Sequence, residues 1–428
     1  MRVLIVGSGG REHALAWAIA RSPLLTELHA APGNPGIAEL ATVHDVGVMD
    51  AEGLVELSER LGIDLAVVGP EAPLVAGLGD RLSAAGIASF APSGEAAMIE
   101  GSKEFAKQVM IAAGVPTARH DACDTIAAAQ AAIAASDGQV VVKADGLAAG
   151  KGVFVCSSAL EAEAAVRACL TDRRFGGAGS RVLIEERLEG SEVSLLALCD
   201  GDRVRALAPA RDYKRIGDGD RGPNTGGMGC VSPLEGLSAE ATEALVDQIH
   251  RPVIAELRQR GITFQGCLYA GLMMTDDGPK VLEFNARFGD PETQVIVPRL
   301  DGDLLEALVA TAEGRLAGVE LHTSPRACLT VVMAAAGYPE APEQGAAIGG
   351  LARAADHPGV VVFHAGTSGA PGAVKVAGGR VLNVTATGDD LDEARERAYA
   401  AADEITFDGM QMRRDIGLEA GLTAHRRA

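Results

Sequence analysis

The chain of 428 residues carries a formal net charge of −20, and 47% of its residues are hydrophobic. This composition excludes an intrinsically disordered chain and suggests about three domains, while the charge argues against nucleic acid or anionic membranes as partners. Seven scattered cysteines without a Cys-x-x-Cys pair favour free thiols and a cytoplasmic location, and no apolar run is long enough to cross a bilayer.

Strands and helices alternate over the first hundred residues. Apolar residues 2–6 predict a buried parallel strand, which is followed after a glycine turn by a helix over 12–21. A second unit predicts a strand over 64–71 and a helix over 77–85. This alternation predicts an open α/β sheet as the N-terminal domain.

The glycine turn GSGGRE lies where a dinucleotide-binding fingerprint would lie. It departs from that fingerprint because Glu12 stands at the third glycine position, and no acidic residue closes the second strand. The turn still opens a helix whose free N–H groups at Gly9 and Gly10 favour an anion, and Arg11 is adjacent. We expect a phosphate or phosphosugar site here, with a bare tight turn as the alternative.

From about residue 117 the pattern changes to strands and helices that predict a small α+β lid. The stretch 140–155 reads as strand, glycine-rich turn and strand, followed by a helix over 159–170 and a strand over 181–185. The turn differs from a Walker A loop, because three residues separate its glycines and Gly152 follows the lysine. A hairpin that closes over phosphates fits better, and Lys143 in apolar surroundings predicts an anionic partner. The alternative is a mobile hairpin with a lysine that reaches solvent.

Two further segments combine charge with glycine. In the segment IEERLEGSEVS, one predicted strand ends in two glutamates and the next begins at Glu192. These acids could accept hydrogen bonds from ribose hydroxyls, and the alternative is a solvated strand edge. Residues 211–229 read as one polar loop without structure of its own, and loops of this length usually have a function. Asp212, Lys214, Asn224 and Thr225 offer charges and hydrogen-bond donors there.

The stretch VLEFNARFGDPETQ, residues 281–294, begins as a strand. Strict alternation places Glu283, Asn285 and Arg287 on one face and three apolar residues on the other. Carboxylate and amide oxygens, together with nucleotide phosphates, are the usual ligands of magnesium. We therefore expect a metal and phosphate site at this strand end, with an exposed, charge-paired edge as the alternative.

The rest of the chain predicts further strands and helices. The predicted domains are 1–103, 104–320 with a mobile lid at about 120–190, and 321–428. The remaining predicted elements are strands over 192–199, 204–209, 267–275, 279–286, 327–335, 359–364 and 380–386, helices over 238–260 and 389–404, and a loop over 337–345.

These motifs together resemble the ATP-grasp ligases and, within them, the phosphoribosylamine–glycine ligase family. The resemblance is collinear from residue 4 to residue 417, and PNTGGMG and FNARFGDPETQ are its most specific parts. The other matching motifs are GSGGREHALAW, GPEAPLVAG, EGSKEFAK, VVKADGLAAGKGV, LYAGLM, FHAGT and RRDIG.

The resemblance implies an ATP-grasp fold between an N-terminal open α/β domain and a C-terminal α+β domain. It also implies a ligase of purine biosynthesis that uses ATP with Mg²⁺ or Mn²⁺ to convert glycine into glycyl phosphate. The amine of 5-phosphoribosylamine then attacks the glycyl phosphate, and glycinamide ribonucleotide, ADP and phosphate leave. We expect a monomer or weak dimer.

Roles for individual residues follow from the matched motifs. The metal ligands would be Glu283 and Asn285. The nucleotide would contact Lys103, Lys143, Gly146, Gly150, Lys151 and Gly152, an adenine hinge that includes Glu185, Glu186 and Leu188, and Glu192 at the ribose. Phosphoribosylamine would contact Gly9, Gly10, Arg11, Glu71, Asn224, Thr225 and Gly226. The catalytic groups at glycine and the acyl phosphate would be Asp212, Lys214, Arg287 and Asp290.

The chain departs from the family pattern at a few positions. Arg211, Tyr213, Cys230 and Met412 stand where Gln, His, Ala and Tyr are usual. The first two lie beside the expected site and bear on local affinity. The alternatives are another ATP-grasp ligase with a different carboxylate, a dehydrogenase, which Glu12 disfavours, and a non-catalytic nucleotide-binding regulator.

Overall fold

A computed structural model describes residues 1–136, 138–148, 151–370 and 372–418. Gly150, which is expected at the ATP phosphates, lies outside these described residues. Within them, no helix has the length and apolarity needed to span a membrane.

The N-terminal unit is an open sheet of five parallel strands with helices around it. Its elements are β1 (Arg2–Gly7), α1 (Gly10–Ile19), β2 (Glu27–Pro32), β3 (Thr42–Val43), α2 (Ala51–Leu61), β4 (Leu65–Val68), α3 (Glu71–Val75), α4 (Leu78–Ala84), β5 (Ala88–Phe90), α5 (Gly94–Gly101) and α6 (Lys103–Ala112). The strand order is β3-β2-β1-β4-β5, and the pairing is parallel throughout. The predicted α/β sheet is confirmed, although the strand predicted over 64–71 ends earlier because α3 begins at Glu71.

The residues predicted to form a lid make up an α+β unit with its own apolar core, and its closure over a nucleotide stays a prediction. It consists of β6 (His120–Cys123), α7 (Ile126–Ala134), β7 (Val140–Ala144), β8 (Val153–Val155), α8 (Ala159–Leu170) and β9 (Val182–Glu186). Its sheet has the order β6-β9-β7-β8, and all pairs are antiparallel. The glycine-rich turn therefore joins two neighbouring antiparallel strands, as expected, and no Walker-type helix follows it.

The central segment forms a four-stranded antiparallel sheet and several short strands. Its elements are β10 (Ser191–Asp200), β11 (Val204–Ala206), β12 (Arg211–Asp212), β13 (Arg215–Gly217), β14 (Arg221–Asn224), β15 (Gly229–Ser232), α9 (Ala239–Gln248), α10 (His250–Gln259), β16 (Gln265–Thr275) and β17 (Gly278–Asn285). The four-stranded sheet has the order β11-β10-β16-β17.

Two predictions for this central segment are wrong. The single helix over 238–260 is two helices, because Ile249 has φ −118° and ψ −63° and separates them. The loop over 211–229 is not without structure, because it contains a β13–β14 hairpin and strands at both ends.

The C-terminal segment adds strands to one five-stranded sheet, β12-β15-β20-β24-β21. Its elements are α11 (Thr293–Ile296), β18 (Leu300–Asp301), α12 (Leu304–Ala312), β19 (His322–Thr323), β20 (Ala327–Ala334), α13 (Leu351–Ala355), β21 (Val360–His364), β22 (Thr367–Ser368), β23 (Lys375–Val376), β24 (Arg380–Gly388) and α14 (Leu391–Ala402), with 3₁₀ turns at Ile37–Glu39, Gly176–Gly179, Val297–Arg299 and Leu316–Gly318. Because β12 and β15 pair within this sheet, the loop between them lies against the C-terminal strands.

Candidate active site

A cavity of about 340 Å³ opens where the N-terminal unit, the lid and the two large sheets meet. Thirteen of the residues expected at the site line this cavity: Arg11, Glu71, Lys103, Gly152, Glu185, Asp212, Lys214, Thr225, Gly226, Glu283, Asn285, Arg287 and Asp290. Others expected at the site are not among the lining residues, namely Gly9, Gly10, Lys143, Gly146, Lys151, Glu186, Leu188, Glu192 and Asn224. Glu192 lines a small adjoining cavity beside Asp212 and Glu283.

The end of β17 carries the expected metal ligands. Glu283 and Asn285 face the cavity, and the Asn285 Oδ1 accepts a hydrogen bond of 3.2 Å from Arg287. Burial favours the neutral form of Glu283, but Lys214, Lys143, Lys103 and Arg287 together hold its pKa below the ordinary value. The carboxylate therefore stays ionised and is suited to a hard divalent cation.

The strict alternation predicted for this strand is wrong at Leu282. The strand register shifts there, because Glu283 pairs with Gly271 whereas Val281 pairs with Leu272. This β-bulge allows Leu282 to line the cavity beside Glu283, and it exposes the Leu282 carbonyl to Lys143 at 2.9 Å. Only one carboxylate and one amide are available at the strand end, so phosphate oxygens or water must complete a metal shell.

Two buried lysines contact Glu185 on the lid side of the cavity, and the partly buried Lys103 lies near them. The Glu185 Oε2 lies 3.0 Å from the Lys143 Nζ and 3.2 Å from the Lys107 Nζ. The Lys103 Nζ donates to the Gly146 carbonyl at 3.2 Å, at the start of the glycine-rich turn. Burial lowers the pKa of Lys107 to about 8, although the Glu185 charge opposes this shift. The anionic partner expected for Lys143 is thus a carboxylate of the chain itself.

Arg287 is fixed by two acidic side chains from the N-terminal unit. Its Nη2 lies 3.1 Å from the Glu100 Oε1, and its Nε lies 3.5 Å from the Glu71 Oε2. The other Glu100 oxygen accepts the N–H of Ala286 at 2.7 Å. Burial opposes the charge of Arg287, but Glu100 and Glu71 raise its pKa above the ordinary value. The guanidinium is therefore a permanent cation with a fixed direction.

A second acidic group lies across the cavity from the lid. The Asp212 Oδ2 accepts from Lys214 at 3.3 Å, while burial raises the pKa of Asp212 to about 7 against the effect of that lysine. Nearby, the Glu292 Oε1 accepts from the Tyr269 hydroxyl at 2.8 Å and from the Ser194 hydroxyl at 2.9 Å. Asp212 can therefore exchange a proton near neutral pH, whereas Glu292 is held in a closed hydrogen-bond network.

At the N-terminus of α1, where the sequence predicts a phosphate site, carboxylates of the chain accept two of the backbone N–H groups. The Gly9 N–H donates to the Glu12 Oε2 at 2.6 Å, and the Arg11 N–H donates to the Asp290 Oδ2 at 3.2 Å. A Cβ built on Gly10 would lie 2.5 Å from the Asn383 side chain. The chain's own carboxylates thus contact the helix end, and Gly10 allows the backbone to pack closely against Asn383.

Three family profiles match the chain in succession. Residues 1–100 match the N domain of phosphoribosylglycinamide synthetase, residues 101–293 match its ATP-grasp (A) domain, and residues 328–419 match its C domain. The chain belongs to the phosphoribosylglycinamide synthetase family.

Full-length relatives and solved structures agree with this family. The chain is 52% identical over 423 residues to a phosphoribosylamine–glycine ligase of Streptomyces coelicolor, covering 98% of the chain and 99% of the relative. It is 50% identical over 420 residues to the Rhizobium meliloti ligase, with 98% and 99% covered. The crystal structure of the Thermotoga maritima ligase has a TM-score of 0.84 at 34% identity, with 97% and 100% covered.

The fold extends to a more distant group of proteins. The biotin carboxylase domain of Hydrogenobacter thermophilus 2-oxoglutarate carboxylase, in complex with MgADP, has a TM-score of 0.72 at 17% identity, covering 96% of this chain and 91% of that one. At this identity the likeness shows the fold alone. The expected ATP-grasp architecture is confirmed by the match of residues 101–293 to the ATP-grasp (A) domain of the family.

Five polar residues that line the cavity were not predicted from the sequence: Glu100, Lys107, Tyr269, Glu292 and Arg380. Lys107 lies one helical turn after Lys103, so its spacing could have revealed it. Of the departures from the family pattern, the Tyr213 hydroxyl accepts from the Gly417 N–H at 3.1 Å, and Cys230 is fully buried. These two side chains therefore serve packing between segments.

Proposed function

We propose that this chain joins glycine to 5-phosphoribosylamine at the expense of ATP, giving N1-(5-phosphoribosyl)glycinamide, ADP and phosphate in the purine pathway. The observation that carries this assignment is the division of one cavity into two chemical ends. One end holds Lys103, Lys107 and Glu185, and the other holds Asp212, Asp290 and Arg380. Glu283 and Lys214 lie between them, because the charge of Glu283 interacts with both Lys103 and Lys214. A nucleotide and two smaller charged substrates would meet between them.

The nucleotide end suits ATP with a divalent cation. Glu283 and Asn285 would hold Mg²⁺ or Mn²⁺, which would neutralise charge on the transferring phosphoryl group. Lys103 and Lys143 would contact the phosphates, with the glycine-rich turn, including Gly146, Lys151 and Gly152, above them. A lid that closes over the nucleotide belongs to this proposal.

The adenine would lie along the segment from Glu185 to Leu188. The Glu185 Oε1 is buried and has no hydrogen-bond partner within the described part of the chain, which suits an exocyclic amino group. Glu186 belongs to the same hinge through its backbone, because its side chain is engaged with Arg119 and Lys280. Glu192 would accept from a ribose hydroxyl.

The two chemical steps need charge neutralisation and proton transfer. A carboxylate oxygen of glycine attacks the γ-phosphorus and ADP leaves; the amine nitrogen then attacks the carbonyl carbon and phosphate leaves. Arg287 stabilises the negative charge that develops on the phosphoryl oxygens. Lys214 and Asp290 position the glycine and the acyl phosphate. The Asp212 Oδ1, buried and without a hydrogen-bond partner within the described residues, accepts the proton that the attacking amine releases.

Asp212 should give the reaction a pH dependence. Because its pKa is raised to about 7, its proton-accepting form is lost below neutrality, and kcat/KM for phosphoribosylamine should rise with pH through about 7. Asp212→Asn should lower kcat/KM by about 10²-fold or more at high pH and flatten this rise. The ratio of kcat/KM for the variant to kcat/KM for the wild type should be plotted against pH. The titration of the substrate amine affects both enzymes equally and drops out of this ratio.

An exposed aspartate supplies the control for this prediction. Asp202→Asn removes a carboxylate that pairs with Arg258 at the surface, and its profile should match the wild type. If Asp212→Asn lowers the rate by the same factor at every pH, then Asp212 only positions Lys214 and is not the proton acceptor.

ADP release from the purified protein tests the assigned reaction. Release should require both glycine and phosphoribosylamine, and the product should be the glycinamide ribonucleotide by mass spectrometry. Release with a different carboxylate and not with glycine would instead assign another ATP-grasp ligase of purine metabolism. ATP binding without release under any substrate pair would indicate a nucleotide-binding regulator. The seven buried free thiols suit a protein of the reducing cytoplasm, so the assay should be run with a reductant present.

A further inference from the structure

The phosphate of the amine substrate needs a cation outside the nucleotide end of the cavity. Arg11 was expected in this role, but the structure leaves it little capacity for a ligand. Its Nε is 2.6 Å from the Glu12 Oε1, its Nη1 donates to the Phe288 carbonyl at 3.0 Å, and its side chain is only 8% exposed. Its guanidinium therefore braces α1 against the β17 end.

Arg380, the first residue of β24, reaches the same cavity from the C-terminal segment. Its Nη1 donates to the Asp290 carbonyl at 2.8 Å and also to the Gly226 carbonyl, and its Nη2 lies 3.3 Å from the Asp290 Oδ1. The side chain is 21% exposed, and its Nε has no hydrogen-bond partner within the described ranges. The guanidinium is thus oriented by the chain and still open to a ligand.

Gly226 shows that this orientation is built into the sequence. A Cβ on Gly226 would lie 3.0 Å from the Arg380 Cζ and 3.3 Å from its Nε, so the glycine lets the guanidinium lie against the loop backbone. The same loop is fixed from the C-terminal segment a second time, because the Gly226 N–H donates to the Tyr338 hydroxyl at 3.0 Å. The PNTGGMG motif therefore serves in part to position the Arg380 guanidinium.

Two other cations that line the cavity, Lys214 and Arg287, are engaged with other groups of the chain. Lys214 faces Asp212, Glu192 and Glu283, while Arg287 contacts Asn285 and is held by two glutamates. The closest acid to Arg380 is Asp290, and that carboxylate also accepts from the Arg11 N–H and from the Gln294 Nε2 at 2.9 Å. Because these donors share the Asp290 charge, Arg380 retains net positive character toward an incoming dianion.

We infer that Arg380 is a specificity-determining residue whose guanidinium binds the phosphate monoester of the amine substrate. The inference rests on the proposed function and adds a residue from the C-terminal segment to it. Placing the phosphate at Arg380 directs the amine of the substrate inward, toward Asp212 and Arg287. The C-terminal segment then completes the substrate site and is not only a structural support.

Steady-state kinetics of Arg380→Gln tests this inference. KM for phosphoribosylamine should rise by about 10- to 100-fold, with KM for ATP and for glycine within about twofold of the wild type. Gly226→Ala should raise the same KM, because the added methyl displaces the guanidinium. Arg353→Gln, at an arginine that is 68% exposed and pairs with Glu404, is the matched control and should change nothing. Arg11→Gln should have a smaller effect than Arg380→Gln.

A second measurement separates phosphate recognition from a structural role. Ribose 5-phosphate should compete with phosphoribosylamine in the wild type far better than ribose does, and Arg380→Gln should abolish this difference. Equal rises in all three KM values, a retained preference for ribose 5-phosphate, or a larger effect from Arg11→Gln would overturn the inference. If the wild type releases no ADP with glycine and phosphoribosylamine, the proposed function fails instead. Should Arg380→Gln misfold, Arg380→Lys, which keeps the charge without the planar fork, must still weaken ribose 5-phosphate binding.

Discussion

Replacing Glu283 with glutamine should lower kcat by about 10²- to 10⁴-fold while the protein stays folded. Glu283 is the one carboxylate at the end of β17, and the surrounding Lys214, Lys143, Lys103 and Arg287 keep it ionised. Glutamine preserves the shape of the side chain but removes the negative charge that would hold the divalent cation. The apparent activation constant for Mg²⁺ should rise in parallel, and this can be measured by varying Mg²⁺ at saturating ATP.

The control for this variant is Glu306→Gln, at an exposed position of α12 outside the cavity. Its kcat and its Mg²⁺ dependence should equal those of the wild type, and circular dichroism should show both variants folded. Wild-type turnover of Glu283→Gln at ordinary Mg²⁺ would remove Glu283 from the metal site. A loss of kcat with an unchanged Mg²⁺ activation constant would point to an electrostatic role toward the lysines.

The sequence was most informative where the two-residue period of a strand determines which face a side chain occupies. The row of Glu283, Asn285 and Arg287 follows from strand alternation, and the structure places all three at one cavity. The bulge at Leu282 could not be read from that period, because it depends on how β17 pairs with β16. The direction of the polar face was therefore predictable, while the register that opens the Leu282 carbonyl to Lys143 was not.

Residues that approach from distant parts of the chain escaped prediction for a physical reason. Glu100 meets Arg287 across 187 positions, and Arg380 meets Gly226 across 154, so neither pair leaves a local pattern. The occupied end of α1 was closer to being predictable. Glu12 stands three positions after Gly9, which is the spacing of a glutamate that folds back onto the first N–H of a helix.

Local clustering of cations explains how an acidic chain can still bind anionic substrates. The chain as a whole carries −20, yet the cavity gathers Lys103, Lys107, Lys214, Arg287 and Arg380. A carboxylate lies beside four of them, and Lys103 donates instead to the Gly146 carbonyl. The cations therefore keep fixed directions before any substrate enters. Such preorganisation is worth more in a partly dry site than mobile surface charge would be.

Replacing Arg287 with lysine should lower kcat by about 10²- to 10³-fold with a much smaller change in KM for ATP. Lysine keeps a positive charge beside the buried Glu100, so the fold should persist, but it lacks the planar fork that reaches Glu100, Asn285 and a phosphoryl oxygen together. The negative charge that develops during phosphoryl transfer would then be poorly stabilised. Rapid-quench measurement of ADP formation in a single turnover isolates this chemical step from product release.

Glu100→Gln tests whether the direction of Arg287, and not only its charge, is required. The Glu100 carboxylate holds the Arg287 Nη2 at 3.1 Å and the Ala286 N–H at 2.7 Å, so its loss should release both the guanidinium and the strand end. We expect Glu100→Gln to lower kcat less than Arg287→Lys does. The double variant should lower kcat by less than the product of the two single-variant factors. Independent, multiplicative losses would mean that Glu100 does not act through Arg287. Arg353→Lys, at an exposed arginine, should leave the single-turnover rate unchanged, because its guanidinium pairs with Glu404 at the surface, away from the cavity.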